Sequence, residues 1–191
     1  NGVTNSLKIY KPMQLKTIVF VYLSNLSIDK GILNLIKAIP ILESLNKNNN
    51  FILKIIGKPT SSFDLSRLEY EILKTDSSKI YYLGSKYGDE KLQELSISNI
   101  LVLPTNYKNE CFPLSILEGM SLGLPIISTT EGAIPEIVEH NQTGIILENS
   151  NPETIANAMN FYITNPNIIL SHSLNSYTKY INNYTLEIFE K

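Results

Sequence analysis

The sequence predicts an α/β domain with a Rossmann-like, mostly parallel sheet and helices on both of its faces. Three observations lead to this prediction. Short apolar runs rich in β-branched residues alternate along the chain with longer, amphipathic segments. The second and third of these runs stop at Gly57 and Gly84, as strands that enter loops do. At 191 residues and 43% hydrophobic composition, the chain can form one domain with a packed core.

The first predicted strand covers residues 17–23 and is apolar enough to be buried on both faces. A helix is predicted to open near Asp29, and Pro40 should kink or locally disturb it. Pro113 suits the first position of a later helix, and Gly123 suits its stop. The other predicted strands are 51–56, 80–83, 100–103, 124–128 and 144–147, and the other predicted helices are 65–74, 89–95, 135–139, 152–164 and 167–182.

The loops that follow the predicted strands indicate where a ligand binds. In parallel sheets covered on both faces, ligands lie outside the carboxyl ends of the strands. We therefore expect a ligand site where these loops meet, which are the loops at Ser24, Gly57, Gly84, 104–110 and 129–132.

Composition excludes several other classes of protein. A formal net charge of −2 gives no reason to expect nucleic-acid binding. The single Cys111 excludes an internal disulfide framework, and no Cys/His cluster predicts a metal site. No signal peptide or apolar run of membrane-spanning length is present, so a cytoplasmic protein is predicted. The loop after the first strand has no Gly-x-Gly-x-x-Gly, so an NAD-binding domain is not expected. No cofactor is predicted.

Two glutamates carry the most functional information. Glu110 lies just before the helix predicted from Pro113, and Glu118 lies inside it, with seven residues between them. Glu118 is the only charged residue from Cys111 to Thr130, so its helix should be buried. We expect the Glu118 carboxylate to be mostly out of water, with a hydrogen-bonding partner that no neighbour on the helix supplies. The hydroxyls of a ligand could be that partner.

Each of these charged residues also has a simpler explanation. Glu118 could pair with a distant Lys or Arg, and Glu110 could merely favour the positive start of the helix. Lys30, predicted in the first turn of the first helix, opposes the helix dipole unless an anion binds nearby. It could equally be a solvated lysine neutralised by Asp29. The residues taken one at a time leave these alternatives open.

The combination of motifs resembles the donor-binding half of retaining glycosyltransferases of family 4, enzymes with the two-domain GT-B architecture. The resemblance is carried by Glu110, Glu118, the Gly-Leu-Pro-Ile of 123–126 and the Pro-Glu-Ile-Val of 135–138. It extends over about residues 1–191, which is half of such an enzyme. The resemblance implies an enzyme that transfers a sugar from a nucleoside-diphosphate sugar to a glycan or lipid-linked acceptor, as in bacterial cell-surface polysaccharide synthesis.

The resemblance also implies roles for individual residues. Residues 25–31 align with the family's first-loop signature, in which Lys30 contacts the donor diphosphate and supports leaving-group departure. Glu110, the second residue implied in catalysis, would hold sugar hydroxyls, and Glu118 would hold the ribose hydroxyls. Two further segments are expected to bind the donor. One is a helix start with free backbone N–H groups, and the other is a loop whose tyrosines could line a nucleobase pocket. These residues are Cys111, Phe112, Leu114 and Ser115 at the helix start, and Gly84 and Lys86 in the loop.

Asn25 departs from the family pattern, because many members have an arginine there. Asparagine can donate hydrogen bonds to phosphate but has no charge and cannot make the two-pronged guanidinium contact. Cys111 is not predicted to be a nucleophile, because no histidine lies near it in sequence. We expect His140 to favour a helix C-terminus and His172 to be exposed on a helix.

The resemblance predicts that 1–191 is the nucleotide-sugar-binding domain, with a linker at 1–16 and the start of a truncated terminal helix at 184–191. The N-terminal acceptor domain would be absent, the isolated domain would be a poor catalyst, and the full-length enzyme could lie at the membrane periphery. A second hypothesis is a free-standing α/β nucleotide-binding or receiver-like regulatory module. A receiver needs acidic residues after its first strand, whereas that strand ends in Leu23-Ser24-Asn25. Titration with nucleotides separates the two hypotheses.

Overall fold

A computed structural model describes residues 16–47 and 50–189 of the chain. The elements alternate as the sequence predicts. The strands are β1 Ile18–Leu23, β2 Phe51–Ile56, β3 Ile80–Tyr82, β4 Ile100–Leu103, β5 Ile126–Ser128 and β6 Gly144–Ile146. The helices are α1 Ile32–Leu45, α2 Ser62–Thr75, α3 Gly88–Ser96, α4 Leu114–Ser121, α5 Ile134–Ile137, α6 Pro152–Thr164, α7 Pro166–Asn183 and α8 Leu186–Phe189.

Within the described residues, the strands form one sheet in the order β3-β2-β1-β4-β5-β6. Every pair of neighbouring strands is parallel. The chain moves outward from β1 through β2 to β3 and then returns to β4 on the other side of β1. The strand order therefore reverses between β1 and β4, and the crevice at their carboxyl ends is the usual ligand position in such sheets. The predicted Rossmann-like α/β class is confirmed.

The core lies between this sheet and its helices. β4 is buried along its whole length, and β1 is buried except for the half-buried Val19. α1 packs against α2 and α6, whereas α4 packs against α7. Burial on both faces explains the continuous apolar runs of the central strands, because a strand with one wet face alternates instead.

Most element boundaries agree with the prediction, and the differences have local causes. α2 begins at Ser62 because the Ser61 hydroxyl caps it by accepting from the Asp64 amide at 3.1 Å. α1 continues through the exposed Pro40 to Leu45. The prediction that Pro113 opens the fourth helix is wrong by one position. Pro113 has extended backbone dihedrals and is the N-cap of α4.

Two predictions concern the ends of the chain. The predicted linker, 1–16, lies outside the described residues except for Lys16. At the other end, α8 lies within the segment predicted to begin a terminal helix, and whether that helix is truncated stays a prediction. In the described residues, the helices are all too short or too polar to cross a membrane.

Candidate functional site

The loops at the carboxyl edge of the sheet are joined to one another, as the topology requires. They are connected by backbone and hydroxyl hydrogen bonds that run from the β3 side of the edge to the β5 side. These bonds are Gly57 N–H to the Gly84 carbonyl at 2.9 Å, Asn106 N–H to the Asp29 carbonyl at 2.7 Å, and the Thr129 hydroxyl to the Thr105 carbonyl at 2.6 Å.

Two glycines allow these loops to approach closely. Gly31 has φ +77° and separates a short 3₁₀-helix, Ile28–Lys30, from α1. A Cβ on Gly31 would lie 2.0 Å from the Pro104 carbonyl oxygen. Gly132 has φ +55°, and a Cβ there would lie 1.4 Å from the carbonyl oxygen of Glu110. Both contacts are impossible for any other residue, so the glycines fix the loops of Lys30 and Glu110 in place.

Lys30 and Glu110 meet at the centre of this edge. The Lys30 ammonium donates to Oε2 of Glu110 at 2.6 Å, and the two side chains are only 16% and 8% exposed. The Thr105 hydroxyl donates to the same carboxylate oxygen at 3.3 Å. The Tyr107 ring lies 4.4 Å from the Lys30 nitrogen, within cation–π range. The sequence did not predict this pairing, and it changes the electrostatics of the site, because each charge is balanced by the other.

The pair keeps its capacity to bind a ligand. An ammonium group has three donors, and a carboxylate accepts at about four lone-pair positions. One mutual hydrogen bond therefore leaves donors on Lys30 for an anion and acceptors on Glu110 for hydroxyls. The prediction that Lys30 lies in the first turn of the first helix is wrong. Lys30 ends the 3₁₀-helix that precedes α1. Its charge therefore interacts with the Glu110 carboxylate rather than with the α1 dipole.

Tyr22, at the end of β1, supports the loop of Lys30 from below. Its side chain is fully buried, and its hydroxyl donates to the carbonyls of Lys30 at 3.3 Å and Asn25 at 3.4 Å. Burial raises the pKa of the Tyr22 phenol far above its usual range, and the negative charge of Glu110 adds to this effect. Tyr22 therefore stays a neutral hydrogen-bond donor that anchors the 25–30 loop.

Glu118 is less buried than a fully apolar helix would make it. Its side chain is 37% exposed, so the carboxylate is half-buried. It also has a partner, because the Lys91 ammonium on α3 donates to Glu118 Oε1 at 2.6 Å. The structure therefore agrees with the alternative in which Glu118 pairs with a distant Lys or Arg. α4 is buried at Ile116, Leu117, Gly119, Met120 and Ser121 but not at Leu114, so Leu114 and Glu118 mark the helix face that meets water.

The start of α4 faces outward next to the Lys30–Glu110 pair. Leu114 is 67% exposed and Phe112 is 37% exposed. The amides of Leu114 and Ser115 come at the first two positions of the helix, where backbone N–H groups have no partner within the helix. Cys111 is an exposed free thiol whose carbonyl accepts from the Ala133 amide at 3.3 Å. The helix start therefore lies where the anion site was predicted. Anion binding there stays a prediction.

The other predicted donor-binding residues lie in the loops that follow β1 and β3. Gly84 has φ +69° and open space where a Cβ would be. Lys86, in the loop before α3, forms an ion pair at 3.4 Å with Glu90 in the first turn of that helix. Asn25 is exposed at the loop after β1, and its carbonyl receives the Tyr22 hydroxyl.

The histidines take no part in this site. His172 was predicted to be exposed, and this is wrong, since it is 6% exposed and its Nδ1 lies 2.8 Å from the hydroxyl of Tyr162. Burial lowers the pKa of His172 from its usual value. The Nδ1 of His140 accepts from the Ile146 amide at 3.0 Å. His140 thus ties the loop before β6 rather than a helix end.

Sequence reasoning missed four residues at this edge: Tyr22, Lys91, Thr105 and Tyr107. Thr105 and Tyr107 had a usable signal, because they follow β4 at the carboxyl edge and precede Glu110. Tyr22, in the middle of an apolar run, resembles an ordinary core residue. Lys91 has no local signal, because it pairs with a residue 27 positions away on another helix.

One family of known proteins matches most of the chain. The family model described as "Glycosyl transferases group 1" matches residues 8–182. The chain therefore belongs to the glycosyl transferases group 1 family and is a domain of GT-B type.

Curated relatives support this assignment. The chain is 31% identical over 141 residues to an uncharacterised glycosyltransferase of Methanocaldococcus jannaschii, covering 74% of this chain and 34% of the relative. It is 27% identical over 148 residues to the lipopolysaccharide 1,2-N-acetylglucosaminetransferase of Salmonella typhimurium, covering 74% and 38%. It is 30% identical over 88 residues to the D-rhamnosyltransferase WbpZ of Pseudomonas aeruginosa, covering 46% and 23%. The chain spans less than two fifths of the length of these relatives.

Solved structures show the same fold. Anabaena HepE in complex with UDP and glucose superposes with a TM-score of 0.79 at 18% identity, covering 92% of this chain and 46% of HepE. The C-terminal domain of the group 1 glycosyltransferase LpcC of Francisella tularensis superposes with a TM-score of 0.76 at 21% identity, covering 88% and 87%. At these identities, the likeness establishes the fold alone.

Proposed function

We propose that this chain is the donor-binding, C-terminal half of a retaining family 4 glycosyltransferase and binds a nucleoside-diphosphate sugar at the carboxyl edge of its sheet. The observation that carries the proposal is the Lys30–Glu110 pair at the β1–β4 crevice, next to the start of α4. This arrangement places a cation, a carboxylate and backbone N–H groups together. A sugar linked to a diphosphate needs the same three kinds of partner.

Each part of the donor has a partner at this edge. Lys30 and the first amides of α4 bind the diphosphate, where negative charge grows as the sugar–phosphate bond breaks. Glu110 accepts from hydroxyls of the transferred sugar, and Thr105 and Gly132 hold it in position. Glu118 accepts from the ribose hydroxyls. The nucleobase lies beyond the ribose, towards the loop of Gly84 and Lys86.

The acceptor and the site of action follow from relatives rather than from this chain. Two relatives transfer sugars whose names are D-rhamnose and N-acetylglucosamine, the second to lipopolysaccharide. A glycan or lipid-linked acceptor in a bacterium fits these names, and a cytoplasmic site at the membrane periphery is part of the proposal. The acceptor would be held by an N-terminal GT-B domain, and alignment with the LpcC C-terminal domain along 87% of its length supports that division. Residues 1–191 alone should therefore transfer sugar poorly, because positioning of both reactants is incomplete.

The test is calorimetric titration of purified 1–191 with UDP, GDP and ADP and with their common sugar conjugates. We expect one nucleoside diphosphate to bind, and its sugar conjugate to bind more tightly. Glu110→Gln should reduce the extra affinity that the sugar confers by about tenfold, since a charge-assisted carboxylate–hydroxyl bond is replaced by a weaker neutral one. Glu94→Gln is the matched control, because Glu94 also has a 2.6 Å lysine partner, Lys54, but lies on α3 away from the β1–β4 crevice.

Two results would contradict the proposal. The first is that none of the nucleotides binds to the folded chain. The second is that Glu110→Gln and Glu94→Gln change the affinity for the sugar conjugate equally.

A further inference from the structure

The Lys91–Glu118 ion pair connects two helices on opposite sides of the candidate ribose position. Lys91 lies on α3, which follows the Gly84–Lys86 loop, and Glu118 lies on α4, which follows Glu110. The ammonium donates to Glu118 Oε1 at 2.6 Å, and the side chains are 23% and 37% exposed. The pair is thus partly exposed, and each of its helices adjoins a segment that contributes proposed donor-binding residues.

The Lys91–Glu118 pair is expected to contribute little to the stability of the fold. α4 is held mainly by its buried face, which packs against the sheet and α7. α3 has a more buried ion pair of the same length, between Glu94 and Lys54 of β2, with exposures of 25% and 14%. Ion pairs this accessible to water contribute little to folding. What the Lys91 contact does fix is the rotamer of the Glu118 carboxylate.

We propose that Lys91 is a positioning residue that orients Glu118 to accept from both ribose hydroxyls, and that the pair thereby selects ribonucleotides over 2′-deoxyribonucleotides. This inference rests on the proposed function. Lys91 occupies one acceptor position of Oε1, so the remaining lone pairs of the carboxylate stay available to two neighbouring hydroxyl donors. A carboxylate held in one rotamer binds them without first losing side-chain entropy.

The consequence is a measurable preference for the ribose sugar. A 2′-deoxyribose offers one donor fewer, so one lone pair of an oriented Glu118 is left without a partner. When Lys91 is removed, Glu118 can rotate towards water and adapt to either sugar, and the preference shrinks. A residue that only joined α3 to α4 would change the affinity for both nucleotides by the same factor.

The experiment measures Kd for UDP, GDP and ADP, each beside its 2′-deoxy counterpart, on purified 1–191. Wild type should prefer the ribonucleotide by about tenfold, the effect of one hydrogen bond to a charged group. Lys91→Met should reduce this preference to about twofold or less, and Glu118→Gln should do the same. Lys91→Arg, which keeps a cationic donor, should retain most of it. Lys54→Met, which breaks the other lysine pair of α3, should leave the preference at the wild-type value.

The outcomes separate this inference from the proposed function. An unchanged ribose preference in folded Lys91→Met, with Glu118→Gln still abolishing it, overturns the role of Lys91 and leaves the ribose role of Glu118 intact. A similar loss in Lys54→Met also overturns the inference, because the effect would then come from loosening α3. Failure of wild type to bind any of the six nucleotides overturns the proposed function and this inference with it.

Discussion

Removing Lys30 should destabilise the fold because it leaves Glu110 as a buried charge without its counter-ion. The Glu110 side chain is 8% exposed, and Lys30 is 16% exposed. Breaking a fully buried pair costs about 3–5 kcal/mol. Two features reduce that cost here, since water reaches Lys30 and the Thr105 hydroxyl still donates to the carboxylate. We expect Lys30→Met to lower the free energy of unfolding by about 2 kcal/mol.

Urea denaturation of four proteins tests this estimate. They are wild type, Lys30→Met, Glu110→Gln and the double variant, which form a double-mutant cycle. The double variant should be more stable than Lys30→Met, because a neutral glutamine side chain is far less costly to bury than an unpaired carboxylate. We expect a coupling energy of about 1–2 kcal/mol. Lys108→Met is the matched control, since Lys108 pairs with Glu131 at 3.1 Å but is 85% exposed.

The control should change stability by less than about 0.5 kcal/mol, as exposed ion pairs do. Two results would contradict this estimate. One is a loss of stability in Lys30→Met no larger than that in Lys108→Met, and the other is additive effects of Lys30→Met and Glu110→Gln, with no coupling energy. Either result would mean that water screens the Lys30–Glu110 pair as fully as it screens a surface pair.

Three further predictions follow from single positions. Gly132→Ala should lower the free energy of unfolding by more than about 2 kcal/mol or prevent folding, because a Cβ would collide with a backbone carbonyl. Gly84→Ala is the control, since Gly84 has positive φ but open space around it, and it should lower the free energy by about 1 kcal/mol in urea denaturation. Because burial lowers the pKa of His172 from 6.5, the unfolded chain binds the proton more readily, and stability should fall as pH drops below about 6.5. Urea denaturation of His172→Gln at pH 7.5 and 5.5 should show a flatter pH dependence, and an equally steep one would contradict this cause. Asn25→Arg should tighten calorimetric binding of the nucleoside diphosphate but not of the nucleoside, and equal effects on both would place this side chain away from phosphate.

The fold was predictable because its signals are local. Each strand is a short apolar run, and burial on both faces, as in β4, removes the alternation that a half-exposed strand shows. Alternation of such runs with helices implies a parallel sheet, and a parallel sheet implies a ligand site at its carboxyl edge. The boundary at Pro113 was missed because an N-cap and a first helical position differ only in backbone dihedrals.

The sequence singled out the charged residues of the candidate site but not the pairs they form. Glu110 and Lys30 were identified, yet they are 80 residues apart, and only the β1–β4 neighbour relation brings their loops together. Glu118 was expected to be out of water because its helix carries no other charge, but one face of α4 meets solvent and Lys91 there. His172 was wrongly predicted to be exposed, because a polar residue on a helix was assumed to face water. It is buried instead, with the Tyr162 hydroxyl as its partner.

The role of Lys30 at the diphosphate is tested by calorimetry at low salt, which compares the affinities of Lys30→Ala for a nucleoside diphosphate and for the corresponding nucleoside. If the carboxyl edge at β1 and β4 is the diphosphate position, the loss should fall on the diphosphate, by about tenfold or more, and shrink as salt is raised. The nucleoside should bind within about twofold of its wild-type affinity. Equal losses for both ligands would place Lys30 away from the phosphates and contradict the assignment of this edge as the donor site.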